Sequence, residues 1–341
     1  MPLKTELFIN LHFNRKSDMD KKLLIAKPIA SELDKFNSYF RESVYSNNSR
    51  IQGVIDYIMK SDGKHIRPIL LLLAAKACGE INDTTYLSAV TVELLHTASL
   101  IHDDVVDESM MRRGKASVNA IYDNKMAVLV GDYFLSTALI KSVLSGDLRM
   151  ISSISDLGRS LAEGELNQLS LAKEVIFDEE EYFEVIKKKT ASLISVCMKI
   201  GAISTGGNEE QVTKFEQLGE YLGICFQLRD DIFDYFSHDI GKPTGNDIRE
   251  GKVTLPLLYA LQHSNAGDRE NMTLLIKEAD FSDSVVDTLI TFAKANDGIE
   301  YAYSKIDIYK DKALNIINTL PESDVKEALF NAVNYVVERV Y

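Results

Sequence analysis

The sequence predicts an all-α protein, a single large bundle of ten or more helices. Three observations carry this expectation. Apolar residues recur three and four apart along most of the 341 residues, the period of a helix with one buried face. Runs that alternate apolar and polar at period 2 are few. Only 6 prolines and no Gly/Ser-rich linker interrupt the pattern, and a hydrophobic fraction of 45% suffices for a sizeable core. Residues 1–20 differ in character from the rest of the chain and read as an N-terminal extension, with Met19 as an alternative start. Residues 21–341 read as one helical domain.

The elements run in order. Leu33, Phe36, Tyr39 and Phe40 mark one helix, and Val54, Ile55, Ile58 and Met59 a second. Ser61-Asp62-Gly63-Lys64 breaks the pattern. The next helix begins near Pro68, a residue suited to a first helical turn, and ends at Cys78-Gly79. Asn82-Asp83-Thr84 opens another, which runs through Val90, Leu94, His96 and Leu100 to a cluster of acids. A polar stretch, Glu108 to Ser117, comes next. Helical spacing resumes from Ala120 to Leu144, from Leu148 to Leu171 and from Glu179 to Ile203. Gly206-Gly207-Asn208 is a breaker. Val212 to Phe236 is helical and carries a second acid cluster. A loop from His238 to Lys252 holds two Gly-Lys pairs, and Leu255 to Tyr341 reads as several shorter amphipathic helices.

Composition narrows the function. The net charge of −13 argues against a nucleic-acid binder, which needs a basic face. Cys78, Cys197 and Cys225 are scattered without metal-ligand spacing and read as buried thiols of a reducing, cytoplasmic protein. The longest uninterrupted apolar run, Ile69 to Ala75, is far too short to cross a bilayer, so no membrane span is expected.

The chemistry is concentrated in two acidic pentads, Asp103-Asp104-Val105-Val106-Asp107 and Asp230-Asp231-Ile232-Phe233-Asp234. A run of acids is ordinarily a solvated helix face. Here the turns before each pentad are apolar, and so are the residues between the acids. Buried carboxylates are costly unless paired or bound to a cation. Residues i and i+4 share one helix face, while i+1 lies about 100° round it. Asp103 and Asp107 therefore form a claw with Asp104 at its flank, and Asp230, Asp231 and Asp234 repeat the arrangement. Hard oxygen donors of this kind suit Mg²⁺, which keeps waters and substrate phosphates in its shell. Two facing claws would hold several Mg²⁺ ions and, through them, a polyanion.

Basic residues surround the claws. Lys64 and Arg67 sit at a loop-to-helix start, where backbone N–H groups favour an anion. Arg112-Arg113 follows the first pentad, Lys189-Thr190 lies within an apolar-faced helix, and Lys242 and Lys252 flank the second pentad. Any one of these alone would pass as a solvated surface cation.

Taken together, these motifs resemble the trans-type (all-E) polyprenyl diphosphate synthases, most closely the bacterial octaprenyl type. The resemblance covers residues 50–260. It rests on Gly63-Lys-His-Ile-Arg-Pro68, Glu93-Leu-Leu-His96, His102-Asp-Asp-Val-Val-Asp107, Arg112-Arg-Gly114, Gly131-Asp132, Lys189-Thr190, Phe226-Gln-Leu-Arg-Asp-Asp-Ile-Phe-Asp234, Gly241-Lys-Pro-Thr-Gly245 and Gly251-Lys252. It implies the isoprenoid synthase fold around a central apolar cavity, and a homodimer. It implies that an allylic diphosphate, farnesyl or geranylgeranyl, is held through Mg²⁺ by Asp103, Asp104 and Asp107 and by Asp230, Asp231 and Asp234. Arg112, Lys189, Thr190, Gln227, Lys242 and Lys252 would grip that diphosphate, with Asp103, Asp107, Asp230, Lys189 and Arg112 closest to catalysis. Lys64, Arg67, His96 and Arg113 would bind isopentenyl diphosphate. A helical His in apolar company is by default a core residue; the Glu93-Leu-Leu-His96 motif reverses that here.

The resemblance also implies that Ala98 and Ser99, five and four residues before the first claw, govern product length, since family members that stop early often carry bulky aromatics there. Both are small, which leaves the cavity open to a long tail such as a quinone side chain. The alternatives are a short-chain farnesyl or geranylgeranyl synthase, a terpene cyclase on the same scaffold, and a non-catalytic subunit of a heteromeric synthase. The isopentenyl-binding set argues against the second, and the intact claws against the third. Contact with a membrane is expected to be transient at most, since a chain of charge −13 has no attraction to anionic lipid.

Overall fold

The computed structural model describes residues 21–60, 66–112, 114–174, 177–236 and 244–338. The chain is helical nearly throughout. A short helix α1 at residues 21–26 leads into α2 (Ala30–Val44) and α3 (Ser49–Met59), followed by α4 (Ile66–Cys78) and α5 (Asp83–Val106). Asn82 caps α5 in a reciprocal box: its side chain accepts from the Thr85 N–H while the Thr85 hydroxyl accepts from its own N–H. After α6 (Val118–Tyr122) come α7 (Asn124–Leu144), α8 (Leu148–Glu174), α9 (Glu179–Ile186) and α10 (Ser192–Ser204). Asn208, with Gln211, caps α11 (Glu209–Phe233) by a second reciprocal box. The short α12 (Asn246–Arg249) precedes α13 (Leu255–His263), α14 (Ala266–Glu278), α15 (Asp283–Ala295), α16 (Gly298–Asn318) and α17 (Asp324–Glu338). One apolar core runs from Ile25 to Val336.

α5, α10 and α11 form the centre, with α4, α7, α8 and α16 packed around them. The sequence signal for this centre is the loss of a polar face: Leu70 to Ala75 of α4 and Val90, Leu94 and Leu95 of α5 are all at most 4% exposed. A helix apolar all round belongs in the interior.

The structure departs from the sequence expectation in four places. The stretch predicted as one helix from Ala120 is broken at Asp123, whose φ of 83° ends α6 and whose side chain caps α7 at the Met126 N–H. The stretch from Glu179 is interrupted by a π-turn at Lys187–Ala191. The polar loop after the first pentad folds as a small antiparallel hairpin of β1 (Met111–Arg112) and β2 (Lys115–Ala116). Finally, α7 is long and apolar enough to cross a membrane, with a mean hydropathy of 1.5 and a third of its window buried. Two lysines and an aspartate divide its sequence into short apolar runs, which hid it from a search for uninterrupted ones. One face of α7 packs along α5; the other leaves Leu129, Leu139, Ile140, Val143 and Leu144 exposed.

Candidate active site

The first claw is built by the C-terminal turn of α5. Asp103 lies inside the last turn and is half-buried, and Asp107 is the exposed C-cap residue one turn on. Burial, reinforced by the charge of Glu165 on α8, pushes the Asp103 carboxyl up to about 6. That cost is relieved by a cation. Asp104, expected at the flank of the claw as a metal ligand, is placed otherwise. It is 3% exposed, and its Oδ1 accepts from Nη2 of Arg112 and from Nε at 2.7 Å. The Asp104 backbone carbonyl and that of Ser109 each accept from Asn119 Nδ2 at 3.2 Å. The physical reason is the 100° offset, which turns Asp104 away from the Asp103–Asp107 face and towards the hairpin. Arg112, expected on the diphosphate, is thereby anchored by Asp104.

The second claw divides in the same way. Asp230 is half-exposed at the end of α11. Asp231 is buried; its Oδ2 accepts from the Tyr182 hydroxyl at 2.5 Å and its Oδ1 from Gln227 Nε2 at 2.7 Å. Asp234 accepts from the backbone N–H groups of Asn246 and Asp247 at 2.9 and 3.0 Å and so fixes the start of α12. Asp231 and Asp234, both expected as ligands, thus shape the pocket, and Asp230 is left at its rim. A further acid is brought in by α12: Asp247 lines the same cavity as Asp231, and Asp234 and Asp230 are near enough to act on it. Burial and the neighbouring acids raise the Asp231 and Asp247 carboxyls well above the usual range.

Between the claws lies the π-turn. One extra residue per turn rotates Lys189 and Thr190 out of the α10 register, a device found at functional sites. Two glycines admit it. A Cβ on Gly164 would stand 2.9 Å from the Lys189 nitrogen, and one on Gly223 would stand 2.4 Å from Ala191 Cα. Lys189 Nζ pairs with Glu165 at 2.6 Å and donates to Gln168 at 3.2 Å. The Thr190 hydroxyl donates to Gln227 Oε1 at 2.7 Å, completing a chain from Thr190 through Gln227 to Asp231 and Tyr182. Lys252 pairs with Glu250, lies 3.9 Å from Asp247, and is within electrostatic reach of Asp107. The two claws therefore share one rim. Glu165, Gln168, Tyr182 and Asp247 were missed by sequence reasoning. Only Asp247 carried a signal there, an acid within the Gly-Lys loop.

On the other side of α5, a cavity is lined by Glu93, His96, Asp104 and Arg112, with Arg41 and Tyr57 from α2 and α3. His96 and Glu93 share one face of α5, three residues apart, and both are buried. Arg67 is half-buried in the first turn of α4. Lys64, Arg113 and Lys242 lie outside the described residues. Ser99 is half-buried one turn beneath Asp103, whereas Ala98 is packed into the core at 2% exposure. Of the two expected length-controlling positions, Ser99 keeps partial exposure and Ala98 almost none.

Among the described residues, no group of three or more acids, histidines or cysteines is arranged to enclose a metal by itself. The donors still fit a hard divalent cation. Asp103 and Asp107 offer two carboxylates on one face, and Mg²⁺ ordinarily completes its shell with water and substrate phosphate oxygens.

Comparisons with known proteins agree with this geometry. The family model described as Polyprenyl synthetase matches residues 48–292. The octaprenyl diphosphate synthase of Haemophilus influenzae is 36% identical over 332 residues, covering 96% of this chain and all of that protein. The geranylgeranyl pyrophosphate synthase of Bacteroides thetaiotaomicron superposes with a TM-score of 0.82 at 44% identity, covering 94% of this chain and all of that one. A polyprenyl synthase from Caulobacter crescentus, solved with calcium and isoprenyl diphosphate, gives a TM-score of 0.87 at 29% identity, covering 93% and 98%. The bundle is the isoprenoid synthase fold. With its acid claws on one rim and this likeness over almost its whole length, the chain belongs to the polyprenyl synthetase family and is a trans-polyprenyl diphosphate synthase.

Proposed function

We propose that the enzyme condenses isopentenyl diphosphate head-to-tail onto farnesyl or geranylgeranyl diphosphate and makes a long-chain, octaprenyl-like product that serves as a quinone side chain. The observation that carries this reading is the shared rim of Asp103, Asp107, Lys189, Asp230 and Lys252 above the half-buried Ser99. The octaprenyl synthase of Haemophilus influenzae supports the long product. The geranylgeranyl synthase of Bacteroides thetaiotaomicron keeps the short-chain reading in play. A non-catalytic role has no support, since both claws and their basic partners are intact.

In this reading Asp103 and Asp107, with Asp230 opposite, would hold two to three Mg²⁺ ions. Bound there, Mg²⁺ would neutralise the charge that grows on the departing diphosphate. Lys189, Thr190, Gln227 and Lys252 grip its oxygens, and their fixed placement favours the ionised state over the ground state. Arg112, held by Asp104, closes the first claw. His96 and Arg67 place isopentenyl diphosphate so that its double bond reaches the allylic carbon. The new bond forms there, and a proton leaves the adjacent carbon for the released pyrophosphate. The apolar walls below keep water from the cation. One incubation with Mg²⁺, isopentenyl diphosphate and farnesyl diphosphate, followed by product sizing, tests the reading. Products of about eight isoprene units are expected; absence of any elongated product rejects prenyl elongation, and a limit of about four units selects the short-chain reading.

The second copy of a homodimer would cover the exposed apolar face of α7, where Leu129, Leu139, Ile140, Val143 and Leu144 face solvent. Light scattering is expected to give twice the chain mass for the wild type and a shift to monomer for Leu139→Asp. A monomeric wild type would sink this assignment. The free cysteines, Cys197 and Cys225 among them buried, support a cytoplasmic location.

A further inference from the structure

One face of α11 grips the segment that carries Lys189 and Thr190. Gly219, Gly223, Gln227 and Asp231 fall at steps of four residues and share that face. The two glycines bring the backbones together. A Cβ on Gly219 would stand 2.6 Å from the Ile194 carbonyl oxygen, and one on Gly223 would stand 2.4 Å from Ala191 Cα. The next two turns hold by hydrogen bonds instead. Gln227 Oε1 accepts from the Thr190 hydroxyl at 2.7 Å, and Asp231 Oδ2 accepts from the Tyr182 hydroxyl at 2.5 Å. Gln227 and Asp231 are joined to each other, Nε2 to Oδ1, at 2.7 Å. All four polar side chains line the cavity beside the second claw.

The direction of this chain sets what it presents to a ligand. Tyr182 and Gln227 each give Asp231 a proton, one to each carboxylate oxygen. Gln227 is thereby turned with its nitrogen towards Asp231 and its oxygen towards Thr190, and its second amide proton is left for a ligand. A carboxamide turned over would set its oxygen against the Asp231 carboxylate. Gln227 and Asp231 belong to one helix, so their mutual bond fixes neither against the rest of the pocket. The brace that reaches Asp231 from outside α11 is Tyr182, on α9 and 8% exposed.

From these observations we propose that Tyr182 is a positioning residue for prenyl transfer: its hydroxyl pins Asp231, and Asp231 sets the Gln227 carboxamide for the allylic diphosphate. Tyr182 acts through Asp231 and not on the substrate. This inference rests on Gln227 gripping that diphosphate, as in the proposed function, and is independent of product length.

The test follows the first condensation by the full chain with Mg²⁺, farnesyl diphosphate and isopentenyl diphosphate at steady state. Phe keeps the ring of Tyr182 and removes only the hydroxyl. Tyr182→Phe is expected to lower kcat by about 10- to 100-fold, with the KM for isopentenyl diphosphate and the half-saturating Mg²⁺ within about twofold of wild type. A loss of folded protein would carry over in full to a Gln227→Met background, whereas a loss that runs through Gln227 would not. In that background Tyr182→Phe is expected to cost about twofold at most. Should Tyr182→Phe fail to fold, Asp231→Asn breaks the same link, because a nitrogen in place of one oxygen cannot accept from Tyr182 or Gln227. It carries the same expectations. Effects that multiply in the double variant overturn the assignment, and so does a half-saturating Mg²⁺ raised by Asp231→Asn, which would make Asp231 a metal ligand. A Gln227→Met at the wild-type rate removes the grip and this inference with it. A slowed Gln227→Met beside an unchanged Tyr182→Phe overturns the inference alone.

Discussion

Asp103→Ala is expected to reduce turnover by about 10³-fold, the upper range for removing one preorganised electrostatic group. The residue is half-buried, and burial together with Glu165 raises its carboxyl to about 6. A carboxylate so placed is costly without a cation, and it shares the claw face with only one other pentad acid, Asp107. Removing it would leave a single carboxylate on that face, so Mg²⁺ affinity is expected to fall with the rate. Steady-state assays across a Mg²⁺ series, together with calorimetric titration of Mg²⁺ in the presence of inorganic pyrophosphate, would measure both. Turnover within tenfold of wild type at unchanged Mg²⁺ dependence would remove Asp103 from the metal site. Turnover of the wild type in excess EDTA would remove the metal from the mechanism.

Ser99→Tyr is expected to shorten the product by about two isoprene units or more, because the phenol ring spans more than one extended unit of about 5 Å just below the claw. Ser99 stands one turn, about 6 Å, beneath Asp103 and is only half-buried. Its hydroxyl donates to the carbonyl of His96 on its own helix at 2.9 Å, a bond that ties it to no other element. Product sizing with geranyl diphosphate as primer is the measurement, and an unchanged length would show that the tail does not run past Ser99. Ala98→Phe, which sequence reasoning treats as equivalent, is not. At 2% exposure there is no room for the ring, and overpacking of about 1–3 kcal/mol is the expected result, seen as a lower melting temperature.

Much of the fold was legible because its signals are local. Asn82 and Asn208 announce helix starts through their own side chains, and Gly79 announces an end through its place after Cys78. The breaks were less legible. Asp123 ends α6 through a left-handed φ that its residue type barely favours. The π-turn at Lys187–Ala191 depends on Gly164 and Gly223, 20 or more residues away in the chain, making room for it. The apolar face of α7 was visible as composition but not as a surface. Whether such a helix is core, interface or membrane span depends on what packs against it.

The sequence by itself determined the kind of chemistry. Two acid pentads at the ends of apolar helices, with cations around them, point to a divalent cation and a polyanion, because helical periodicity alone places i and i+4 on one face; the diphosphate followed from the family resemblance. The tertiary structure alone decided the division of labour among the six acids. Asp104 went to Arg112, Asp231 to Tyr182 and Gln227, and Asp234 to the start of α12. That left Asp103, Asp107 and Asp230 on the rim, with Asp247 brought in beside the second claw. Each of these pairings joins elements that share no local pattern, and a hydrogen bond between distant residues exists only once the packing of the whole bundle has brought its donor and acceptor within reach.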